Sequence, residues 1–140
     1  MPRQRGPGDA RSRWLCRLGL ALTLVSAGSV PSPAQWDCPS TVAADNPIAP
    51  APEAVARGKE LARASCAECH GEHGSGNGPA AAAMTSPPAS WRSARFQAQS
   101  DACIFWKLST GSSNGMPPAR AMPERDRWLI VAFIRSLGTE

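Results

Sequence analysis

The sequence predicts an all-α domain, and three observations carry that expectation. Trp128, Leu129, Ala132, Phe133 and Leu137 recur at helical spacing. Ser100-Asp101 ahead of Ile104, Phe105, Trp106 and Leu108, with Gly111 after them, supplies a start signal and a stop signal for another helix. The chain offers no βαβ pattern that would ask for a parallel sheet.

At 140 residues the chain makes one small domain. Residues 1–34 read as an export signal. Arg3, Arg5, Arg11, Arg13 and Arg17 form a basic region, Leu18 to Val25 a short apolar core, and Ser32-Pro33-Ala34 a small-residue cleavage site after Ala34. The run from Leu18 to Val30 is short for a bilayer span, so cleavage is expected rather than an uncleaved anchor. No two arginines are adjacent, which favours general secretion over a twin-arginine route. Gln35-Trp36-Asp37 ahead of Cys38 lacks the residues of a lipoprotein site.

Gln35 to Glu140 carries ten basic and ten acidic side chains, because those five arginines and Asp9 leave with the signal. The sequence pI of about 9.1 is therefore a property of the leader. A near-neutral remainder gives no argument for nucleic acid, an anionic membrane surface or stable membrane insertion. Residues 35–52, with Pro39, Pro47, Pro50 and Pro52, read as an extended N-terminal segment with no chemistry of its own, and residues 53–140 as the folded domain. Cys38 and Cys103 would be left in an oxidising compartment where they could pair. The apolar helical setting of Cys103 favours a simply buried thiol.

The first helix should run from about Pro52, suited to a first turn, through Gly58 and Leu61 into Cys66-Ala67-Glu68-Cys69-His70. Gly58 costs such a helix about 1 kcal/mol relative to Ala, which asks for a packing reason. Close approach of the last helix, with Phe133 flat against the glycine and Leu61 and Leu137 flanking the contact, would supply it.

Cys66-Ala67-Glu68-Cys69-His70 is a C-x-x-C-H string, the pattern of c-type haem attachment. The spacing puts both sulfurs on about one helical turn, within reach of the two vinyl groups of one haem. His70 follows where it can supply the proximal imidazole. A redox dithiol would need a βαβ context, and a zinc site a second pair of ligands; the chain offers neither.

The glycine-rich run Gly71 to Pro79 lacks the Lys-Ser or Lys-Thr pair of a phosphate loop and reads as backbone wrapped round a haem edge. His73, three residues from His70, reads as a solvated loop histidine. Ala80 to Ala83 suggests a short helical turn, and Met84 beyond it a packing residue. Pro123 opens the last helix and Gly138 ends it.

With these residues in hand, Ala56 to Leu137 resembles the small class I c-type cytochromes, the His/Met monohaem electron carriers. Four features carry the likeness in order. They are Gly58 and Leu61 before the haem motif and Gly71; Gly76-Asn77-Gly78-Pro79; Phe105-Trp106-Lys107-Leu108 with Gly111; and Gly115-Met116-Pro117-Pro118 ahead of Trp128 to Leu137.

The resemblance implies a small helical domain wrapped around one covalently attached haem c, with thioethers to Cys66 and Cys69. It implies His70 as the proximal iron ligand and Met116, in preference to Met122, as the distal one. It also implies that the backbone carbonyl of Pro79 accepts a hydrogen bond from the outer nitrogen of His70. Cys103 departs from the family, which more often has a small or polar residue there.

The function so implied is periplasmic single-electron transfer between redox protein partners, with no catalysis by the chain itself. Two other classes have distinct signatures. A haem enzyme or gas sensor with an open distal site would bind carbon monoxide when reduced, and a fixed subunit of a larger dehydrogenase or oxidase would co-purify with it.

Overall fold

The computed structural model describes residues 37–42 and 44–139; the expected signal, residues 1–34, lies outside them. Four α-helices follow in order: α1 Pro52–His70, α2 Ala94–Gln97, α3 Asp101–Thr110 and α4 Glu124–Ser136. Single 3-10 turns stand at Ala81–Ala83 and Leu137–Thr139. No strand occurs among the described residues, and the domain is all-α.

α4 is the centre of the domain. Seven consecutive residues, Trp128 to Ile134, are buried. A helix apolar on all sides needs neighbours on all sides. α1 and α3 pack against it, and the 3-10 turn that follows Ser136 carries Gly138 beyond the helix end.

α1 starts with Pro52, whose missing N–H would have had no helical partner in any case. It presents Gly58 and Ala62 as its buried residues. A Cβ on Gly58 would run into the carbonyl of Leu129 and come within 3.0 Å of Phe133 Cβ. The two helices thus cross at close range, and Leu61 and Leu137 pack into the same core. The contact differs in one detail from the sequence expectation: the α4 backbone at Leu129 makes the closest approach, with Phe133 beside it. Rigid backbone cannot move aside as a side chain can. Gly58→Val should therefore cost roughly 3 kcal/mol or more, at the upper end of overpacking penalties, in equilibrium unfolding. A variant as stable as the parent would remove the crossing.

α3 begins as read from the sequence, with the Ser100 hydroxyl accepting the Cys103 N–H at 3.2 Å. It stops at Gly111, whose φ of 67° is a region that L side chains rarely adopt. The ten-residue span between is too short to stand alone and is tied on both sides. Arg135 of α4 donates to the Asp101 carboxylate at 2.5 Å and to the Gln97 and Gln99 carbonyls. On the other side Cys38 is joined to Cys103 by a disulfide, with Cα atoms 5.5 Å apart.

That bond corrects two sequence expectations. Cys103 is a half-cystine and not a buried free thiol, and the N-terminal segment has chemistry of its own. It is anchored further by Asn46 Nδ2, which donates to the Trp128 carbonyl at 3.4 Å, and by Ile48, which packs on the core.

Candidate haem-binding site

The C-terminal turn of α1 ends on a cavity of about 550 Å³. Its other walls are the stretch from Met84 to Trp91, the inner faces of α3 and α4, and the loop from Ser112 to Ala119. Cys66, Cys69 and His70 all line it, as positions three and four apart on one helix face should. Ile104, Leu108, Ile130 and Ile134 give it an apolar floor.

The glycine-rich loop explains how α1 can end there. Gly71, Gly76, Gly78 and Ala80 donate their N–H groups to the carbonyls of Ala67, His70, Cys69 and Glu68, at 2.8, 2.9, 3.1 and 2.9 Å. These are the carbonyls a helix end leaves without partners. A Cβ on Gly78 would collide with the backbone of residues 67–69, so glycine is required for the loop to lie flat on the helix end. His73 is exposed and does not border the cavity.

Burial sets the chemistry of the motif. It lowers the His70 pKa to about 4, so the imidazole is neutral at physiological pH and keeps a lone pair to donate to a metal. Burial, and then the neighbouring Cys69 charge, raise Cys66 to about 11 and keep it a thiol. Neither Cys66 nor Cys69 is disulfide-bonded.

Met116 borders the same cavity, on a loop fastened to the end of α3. Ala119 N–H donates to the Leu108 carbonyl at 2.8 Å, Ser112 N–H to the Met116 carbonyl at 2.8 Å, and Met116 N–H to the Ser112 hydroxyl at 3.3 Å. Met84 and Met122 also reach the cavity wall.

His70 Nδ1 is buried with no hydrogen-bond partner among the described residues, so the bond to the Pro79 carbonyl stays an expectation of the resemblance. Pro79 borders a separate surface hollow with Gly71 and His73. Sequence reasoning missed Trp91. Its ring stacks on the His70 imidazole, with centroids 4.6 Å apart and planes 25° from parallel.

The residues present fit a covalently held haem. Two free thiols and a neutral imidazole stand on one turn, facing an apolar cavity. A helical domain with such a site is of the haem-binding kind. The family model for cytochrome c matches residues 55–138, and the chain belongs to that family. Its function class is haem-based electron transfer, with covalently bound haem c as the family's cofactor.

No curated protein matches the chain. Among solved structures, one chain of the reducing HAO-like protein complex of Kuenenia stuttgartiensis superposes with a TM-score of 0.59 at 24% identity. The match covers 68% of this chain and 49% of that one, so this chain is similar in fold to about half of the other's length.

Proposed function

We propose that the protein is a periplasmic single-electron carrier holding one haem c, with Cys66 and Cys69 as its thioether attachments, His70 as proximal ligand and Met116 as distal ligand. The observation that carries this reading is the convergence of all four side chains on one cavity. Bound haem supplies reversible one-electron chemistry at iron.

The chain's own part is to attach, ligate and insulate. The neutral His70 imidazole donates its lone pair, and the Met116 thioether is a soft donor that favours the ferrous state. Ile104, Leu108, Ile130 and Ile134 exclude water from the cavity floor, which disfavours the more highly charged oxidation state. With His70 and Met116 both holding the iron, the chain would leave no open site there for substrate, which supports a carrier rather than an enzyme.

The exported location is supported by the leader pattern and by the Cys38–Cys103 disulfide, a bond that persists in oxidising compartments. No helix among the described residues is long and apolar enough to cross a membrane. The partners proposed are redox proteins, a donor and an acceptor.

Optical spectra of the exported protein, oxidised and reduced, test the reading by reporting haem type, count and ligation. Met116→Ala should abolish the thioether-to-iron band, lower the potential and let the reduced protein bind carbon monoxide. Met122→Ala should change stability and little else. If the band survives in the Met116 variant and is lost in the Met122 variant, the distal assignment is reversed.

A further inference from the structure

Residues 35–140 carry ten basic and ten acidic side chains, yet two long stretches, Gly74–Trp91 and Leu108–Ala119, contain none of them. Both stretches are mostly exposed loop, where charge ordinarily collects. In the fold they come together as the lips of the cavity. Ser86, Pro87 and Ala89 on one side and Asn114, Pro117 and Pro118 on the other are exposed and border it. The lips also approach one another, since a Cβ on Gly115 would lie 3.8 Å from the Met84 methyl carbon.

The charges nearest the opening are few, and most are engaged elsewhere. Among the described residues bordering the cavity, charge is confined to Glu68 and Lys107, one of each sign. The Lys107 ammonium donates to the Gln99 side-chain oxygen at 2.5 Å. Arg120, next to the lip, folds back so that its Nε donates to the Ser109 carbonyl at 3.1 Å. The pairs Arg57–Glu60 and Arg63–Glu72 do not border the cavity at all.

What remains at the mouth has the composition of an interface centre, where charge is depleted and methionine enriched. Met84, Met116 and Met122 all reach the cavity wall, and methionine adapts to differing contours. The prolines of both lips hold φ fixed, so the lips lose little freedom when something settles on them. A charged face set against this mouth would be stripped of water and find almost no counter-charge. An uncharged, apolar face would meet no such penalty.

We propose that the cavity mouth is the docking surface for the redox partner, and that this partner is a protein whose own redox centre opens on an uncharged, apolar face. The inference rests on the reading of the cavity as the haem site. Association is then driven by burial of apolar surface, with little steering by charge.

The test uses the reduced, exported holoprotein and two oxidised blue-copper proteins as probes, one whose copper lies beneath an uncharged apolar face and one whose docking face is acidic. In each reaction one electron leaves the haem protein and reduces one copper(II) to copper(I), followed by stopped-flow absorbance. With the apolar-faced probe the second-order rate constant should change by less than about twofold between roughly 0.01 M and 1 M ionic strength, a range that screens any charged encounter. Ser86→Lys with Asn114→Lys, and Ser86→Glu with Asn114→Glu, place charge on the lips. Both variants should react about tenfold more slowly with the apolar-faced probe, whichever the sign, while the lysine variant gains rate with the acidic-faced probe at low salt only. If either pair alters the optical spectrum, Ala89→Lys with Ala121→Lys, also exposed at the mouth, decides. The proposal would be overturned by a parent that prefers the acidic-faced probe with a rate falling steeply in salt, or by lip variants that react as the parent does. A parent that elutes as a dimer, separated by the lysine pair, would overturn it in favour of a second copy of this chain. A parent with no reversible one-electron haem couple would instead overturn the proposed function itself.

Discussion

Cys66→Ala with Cys69→Ala should abolish the cooperative unfolding transition of the exported chain. The expectation follows from the size of the space the attached group would fill. At about 24 cal/mol per Å³ of cavity, an unfilled volume of about 550 Å³ corresponds to roughly 13 kcal/mol. That figure is an upper bound, since part of the wall is exposed, but the whole stability of a small domain is only about 5–15 kcal/mol. Without its covalent filling the fold should retain helical content at most, with α3 and the Met116 loop losing their places first. Calorimetry and near-ultraviolet dichroism of the variant check this, and a sharp, native-like melt would refute it.

Cys38→Ser with Cys103→Ser should cost about 4 kcal/mol. The bond closes a loop of 65 residues, and the chain-entropy relation gives that magnitude for such a length. Denaturant unfolding of the holoprotein, parent against variant, is the measurement. A difference under about 1 kcal/mol would mean that Asn46, Ile48 and the Arg135 contacts hold the segment without the bond.

Much of this arrangement was legible in the sequence because local chemistry dictated it. Pro52 and the C-x-x-C-H string bracket α1. Ser100 and Gly111 bracket α3 through a cap and a left-handed stop. Gly58 forecast a close crossing because a helix interior seldom carries glycine without cause, although only the structure shows the Leu129 carbonyl as the partner. The features that escaped share a different origin. α2 has four residues, too few for any periodicity to show, and its cap, the Ser93 hydroxyl accepting from Phe96 N–H at 3.3 Å, resembles any serine in a polar stretch. The pairing of Cys38 with Cys103 joins positions 65 apart, and an apolar helix suits a buried thiol as well as a half-cystine. Trp91 is an isolated aromatic in a Pro, Ala and Ser stretch, so only the fold brings it to His70.

The Cys38–Cys103 bond also decides what a protease can accomplish. The exposed stretch Thr85–Pro87 lies inside the loop that the bond closes, so one cut there opens a ring and releases nothing. Both halves stay joined, the piece bearing Cys66, Cys69 and His70 to the piece bearing Met116. The nicked molecule should migrate as a single species on a denaturing gel until a thiol reductant separates it into two.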